Sequence, residues 1–169
     1  PISDSCSRTL SLAASATDNC AGVVTLTYQI QQVEGGDSLQ INSFPYEFSK
    51  GSTKVKVYAV DSSSNITTDS FTVVVTDTTR PVITLPVVAA SYPTTADSCS
   101  RTLSLAASAT DNCDDQVTLT YQIQQVEGGD SLQINSFPYE FSKGSTKVKV
   151  YATDSSSNRS EEHTSELQS

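Results

Sequence analysis

The sequence predicts an all-β chain built as two tandem antiparallel sandwiches. Two observations carry this. The first is a repeat: Asp4–Asn65 recurs at Asp97–Asn158, 93 residues later, with four differences over 62 positions. These are Ala21/Asp114, Gly22/Asp115, Val23/Gln116 and Val60/Thr153. A period this long exceeds a solenoid unit and fits a whole small domain. Copies this similar share one fold. The second observation is alternation. In TLTYQI, Leu26, Tyr28 and Ile30 face one way and Thr25, Thr27 and Gln29 the other. A two-residue period with β-branched enrichment specifies strands.

The remaining elements follow in order. RTLSLAA gives an early strand. In TKVKVYA, Val55, Val57 and Ala59 are expected inside, with Lys54, Lys56 and Tyr58 outside. FTVVVT is β-branched throughout, and PVITLPVVAA opens the second unit. EGGD, KGST and DSSSN supply turns between them. No stretch shows helical spacing. Several short strands in about 90 residues make a sandwich. The predicted core is Leu10, Leu12, Leu26, Tyr28, Ile30, Val55 and Val57, with equivalents 93 residues on.

The boundary falls in TDTTRP, where Pro81 stops a strand. Residues 1–77 form the first unit and 78–158 the second. Pro1 aligns with Thr94, so nothing in the first unit matches Thr78–Pro93, and that unit is expected to lack its N-terminal strand. Residues 159–169, RSEEHTSELQS, lack alternation and are expected to form no ladder. The second unit would then lack its C-terminal strand and expose the Ser145–Thr153 edge. This tail also resembles, codon for codon, a translated sequencing adapter.

Composition narrows the function. Ten Lys and Arg against nineteen Asp and Glu leave a net charge of −9. Such a chain repels nucleic-acid phosphates and anionic membrane surfaces. No apolar run approaches the ~20 residues that span a bilayer, so no membrane insertion is expected in this segment. The one histidine, His163, lies in the tail, so no Ser-His-Asp or Cys-His arrangement can form. Carboxylates are scattered in turns, with no apolar setting to raise a pKa. No catalytic residue is assigned and no enzyme is expected.

DTTRPVITLP, a lone cysteine, ATDNC (Ala16–Cys20 and Ala109–Cys113), then GSTKVKVYA and DSSSN, then FTVVV, resemble the hyalin repeat (HYR) family. The resemblance covers almost all of residues 4–158. It implies an immunoglobulin-like fold in tandem modules of secreted or cell-surface proteins, associated with adhesion. Ser64 and Ser157 stand where that family usually has glycine. Leu85 and the Asp69–Ser70 region stand where it often has two further cysteines. The function implied is an extracellular structural spacer or adhesion module meeting a protein or glycan partner at a cell surface or matrix. The alternative is a glycan-binding accessory module of a secreted enzyme, with Tyr58 and Tyr151 as candidate contacts.

Four cysteines stand in two identical pairs. For an extracellular module the expected disulfides are Cys6–Cys20 and Cys99–Cys113, each worth about 3 kcal/mol in the chain-entropy model. Free thiols or other partners are the alternative. Asn65-Ile66-Thr67 is a glycosylation sequon, relevant only in a eukaryotic source. The implied topology gathers three segments at one pole of each unit, a candidate calcium site. In the second unit these segments carry Asp77, then Asp111, Asn112, Asp114 and Asp115, then Asp154 and Asn158. The first unit keeps Asp18, Asn19, Asp61 and Asn65. Ordinary turn roles for the same residues are the alternative.

Overall fold

The computed structural model describes residues 6–20, 22–32, 37–114, 116–125, 130–163 and 167–168. These residues contain strands and turns and no helix, so no helix is long and apolar enough to cross a membrane. The chain divides into two compact units, Pro1–Asp77 and Thr78–Ser169. Each is an antiparallel β-sandwich.

In the first unit, β1 (Ser7–Leu10) pairs with β4 (Tyr46–Ser49) as a small sheet. The larger sheet runs β3 (Leu39–Ile41), β2 (Thr25–Gln32), β5 (Gly51–Val60), β6 (Ile66–Val75). Its central register sets Tyr28 opposite Val57 and Ile30 opposite Val55. That alignment puts the four apolar side chains on one face, because side chains alternate along each strand. Tyr28, Ile30, Phe48, Val55 and Val57 are buried together, with Leu10, Leu12 and Leu26 half-buried against them. Thr25 and Lys54 are exposed and Lys56 is half-buried. The predicted register therefore holds. Gly51, at φ 110°, makes the tight turn from β4 into β5, a backbone region open to glycine.

The second unit repeats this plan. β8 (Ser100–Leu103) pairs with β12 (Tyr139–Ser142). β11 (Ser131–Ile134), β10 (Thr118–Gln125) and β13 (Ser145–Thr153) form the larger sheet. Tyr121, Ile123, Phe141, Val148 and Val150 are buried, as is Leu105. Here a strand from the unit's beginning is present: β7 (Val82–Thr84) pairs antiparallel with β9 (Ser108–Thr110). The expected EGGD turns span 34–37 and 127–130, of which 34–36 and 127–129 lie outside the described residues.

The tail is a correction. Residues expected to make no ladder form β14 (Arg159–His163), paired antiparallel with β13 from Thr153↔Arg159 to Lys149↔His163. A further short strand, β15 (Leu167–Gln168), pairs with Ser145 and Thr146. The second unit thus has a final strand. Ladder hydrogen bonds are backbone bonds, so an open edge takes up a polar segment as readily as an apolar one. Polar cross-strand contacts add to it. The Arg159 guanidinium lies 4.0 Å over the Tyr151 ring, and Lys149 Nζ is 3.6 Å from Glu161. β14 is mostly exposed, which is why apolar periodicity gives no sign of it.

Candidate functional site

The DSSSN segments are built alike in both units. Asp61 Oδ1 accepts the amides of Ser63 and Asn65, each at 2.8 Å, and Oδ2 accepts Asn65 Nδ2 at 2.7 Å. The Asn65 side chain and then its amide hold the Asp61 carboxyl below its ordinary value, with burial opposing them and the Ser63 amide lowering it least. A carboxyl lowered in this way supports its turn at neutral pH and loses that support as pH falls through its folded pKa. In the second unit Asp154 accepts the Asn158 amide at 2.7 Å and its Nδ2 at 2.8 Å. The sequon asparagine, Asn65, is exposed, with its side-chain amide tied to Asp61.

These turns force Ser64 (φ 69°) and Ser157 (φ 68°) into the left-handed region. A side chain there costs about 1–2 kcal/mol that glycine avoids. Ser64→Gly and Ser157→Gly are each expected to stabilise their unit by about 1 kcal/mol, allowing for glycine's greater unfolded-state entropy. Thermal melting checks this, and an unchanged or lowered Tm would contradict it.

Beside the second turn, Asp111, Asp114 and Asp154 each offer a carboxylate oxygen, all within 4.8 Å of one another. Two loops deliver them, Asp111 and Asp114 from the one before β10 and Asp154 from the one after β13. Asp111 Oδ1 accepts the Cys113 amide at 2.8 Å, while its Oδ2 is buried and takes no hydrogen bond. Asp114 accepts both the hydroxyl (2.6 Å) and the amide (3.2 Å) of Ser155. Asp154 is 6% exposed, held by Asn158. Each pair of carboxylates at that range repels by about 3–4 kcal/mol at an effective dielectric near 20. An oxygen-only donor set can take a hard dication such as calcium. It equally serves the turns through the bonds just given.

Asn112 lies between Asp111 and Cys113, with Nδ2 3.3 Å from Cys113 Sγ. Asp115 lies outside the described residues. Asp77 ends the first unit, 3.8 Å from Lys50 Nζ. In the first unit Asp18 is exposed and accepts the Asn19 amide at 2.8 Å. Among the described residues that unit gathers no set of three acidic, Cys or His groups. Ala21 stands there in place of Asp114, so the carboxylate that completes the second unit's set is missing.

The cysteines correct the expected pairing. Cys20 and Cys99 are free and exposed, whereas Cys6 and Cys113 are each disulfide-bonded. The sandwich explains why Cys6–Cys20 and Cys99–Cys113 do not form. The Cys6 carbonyl accepts the Lys50 amide at 2.7 Å, beside the start of β5. Cys20 lies near the other end, where a Cβ on Gly22 would be 2.9 Å from Ser62 Oγ. Between these ends β5 runs ten residues, about 30 Å. A disulfide needs Cα atoms within about 7 Å. Likewise Cys99 is bonded to Lys143 at one end of β13, while Asp114, next to Cys113, is bonded to Ser155 at the other.

The two outward tyrosines are both half-buried. Tyr58 donates its hydroxyl to Gln29 Oε1 at 2.9 Å, and Lys56 Nζ lies 4.9 Å from its ring centroid. Tyr151 donates to Gln122 Oε1 at 3.0 Å, with Arg159 over its ring.

No protein-family model matches the chain, and no curated protein matches it. Among solved structures, the fibronectin(III)-like modules of Clostridium thermocellum CbhA are similar at 16% identity and a TM-score of 0.41. That likeness covers 90% of this chain and 81% of the other, and is too loose to bear on fold or function.

Proposed function

We propose that the chain is a pair of hyalin-repeat-type modules in a secreted or cell-surface protein, serving as a non-catalytic spacer or adhesion segment. The observation that carries this is the duplication. The two central strand pairs run in the same register, Thr25↔Val60 and Thr118↔Thr153, each with its own buried core. Repeating a whole sandwich adds length and surface without adding a new reactive site. Disulfide-bonded Cys6 and Cys113 fit an oxidising compartment. His163 stands on an exposed strand, 3.3 Å from Glu161.

The competing reading, glycan binding, needs aromatic faces free to stack on a sugar. Tyr58 and Tyr151 carry cations over their rings and spend their hydroxyls on glutamines, which favours the spacer reading. A glycan array with the full chain tests the choice. No saturable binding is expected. Saturable binding lost in the Tyr58→Ala/Tyr151→Ala double variant would overturn the proposal in favour of an accessory glycan module.

A further inference from the structure

The outward face of the first unit's larger sheet carries cations without counter-charges. Side chains alternate along β5, so Thr53, Val55 and Val57 point into the core and Lys54, Lys56 and Tyr58 point out. The register sets Gln31 and Thr72 beside Lys54, and Gln29 and Ser70 beside Lys56. The one acidic residue in the sheet's four strands, Asp69, stands opposite Val57 and so on the inward side. Neither lysine forms an ion pair among the described residues. The second unit differs at one place. There Glu161 of β14 stands opposite Tyr151, and its carboxylate lies 3.6 Å from Lys149. In the first unit Thr68 holds that position, opposite Tyr58. Lys56, the equivalent of Lys149, therefore receives no carboxylate from its own sheet. It is held in place all the same. Gln29 Nε2 donates to Ser38 Oγ at 3.0 Å, the Tyr58 hydroxyl donates to Gln29 Oε1 at 2.9 Å, and Lys56 Nζ lies 4.9 Å from the Tyr58 ring centroid. Lys54, beside it, is exposed.

We propose that this face docks an acidic, extended polypeptide segment of a partner protein, with carboxylates at alternate positions. Lys54 and Lys56 stand two residues apart on one strand, about 7 Å. Alternate side chains of an extended peptide have the same spacing, so two carboxylates meet two ammonium groups in register. The glutamine amides and the serine and threonine hydroxyls around them supply hydrogen bonds to the peptide's other polar groups. An acidic polysaccharide fits less well, because Lys56 already covers the Tyr58 ring and leaves no face for a sugar to stack on. The chain's net charge of −9 turns anions away elsewhere, which makes the lysine pair selective for position as well as charge. The inference names a partner for the adhesion half of the reading above and rests on it. Its failure leaves the spacer half standing.

The test titrates the isotope-labelled full chain with a peptide of alternating threonine and glutamate, followed by amide NMR shifts. Saturable shifts centred on Lys54, Lys56 and Tyr58 are expected, with a Kd of about 1 mM or below at low salt. The Lys54→Gln/Lys56→Gln chain should bind about ten-fold more weakly, as the loss of two exposed ion pairs gives. Glutamine keeps a long polar side chain on the outward face, so that variant should melt like the parent, which separates a lost contact from a misfolded unit. Lys149→Gln should bind like the parent, because Glu161 already occupies Lys149. No saturation, shifts centred elsewhere, or equal binding of a threonine–glutamine peptide would overturn the proposal. So would a uronate polysaccharide that binds this face where the peptide does not. A dimer of the chain that the Lys54→Gln/Lys56→Gln change dissociates would also overturn it, since a second copy would then be the occupant.

Discussion

Phe48→Ala is expected to destabilise the first unit by about 3–5 kcal/mol, most of the stability a domain of this size has. Phe48 is fully buried. It stacks near Phe44 (centroids 6.3 Å apart) and meets Tyr46 edge-on at 5.0 Å. It joins the small sheet to the large one, so its loss opens a cavity between the layers. Phe141→Ala should do the same to the second unit, where Phe141 is 1% exposed beside Phe137 and Tyr139. Each core is a separate cluster. Each variant should therefore split melting into two transitions, one lowered by roughly 15 °C or more and one unmoved. A single transition shifted as a whole would show that the two cores are not independent.

The second large effect has the opposite sign. Thr53 and Thr146 are 0% and 1% exposed, and neither Oγ1 has a hydrogen-bond partner. A buried hydroxyl without a partner costs about 1–3 kcal/mol. Valine keeps the shape and the β-branched fit to the strand while removing that cost. Thr53→Val and Thr146→Val should each stabilise by about 1–2 kcal/mol, raising the unit's Tm by roughly 5–10 °C. Differential scanning calorimetry reads this directly. A lowered Tm would mean that the hydroxyl has a partner in solution.

These two sites also mark the limit of what periodicity reveals. Val55 and Val57 are legible because Lys54 and Lys56 flank them, and a strand has only two faces. Thr53 continues the same inward face, but a polar residue interrupts the apolar pattern there. Phe48 sits in a four-residue strand, too short to show a period. β14 is held by backbone bonds and polar pairs, which leave no apolar trace. The nearness of Asp111, Asp114 and Asp154 is legible in part, because the two loops that carry them flank the paired strands β10 and β13. Asp114 in place of Ala21 distinguishes the two poles at the level of the amino-acid sequence, since one side contributes a carboxylate and the other a methyl group. The cysteine pairing is not legible. Spacing along the chain says nothing about which end of a 30 Å strand each cysteine reaches.

The central claim is that each copy is a self-contained sandwich suited to hold a length between two attachments. Single-molecule stretching of the full chain under reducing conditions tests it most directly. The account predicts two separate unfolding events, each releasing roughly 250 Å of chain, the extended length of about 75 residues. One event releasing both units together, or smooth extension without events, would contradict it.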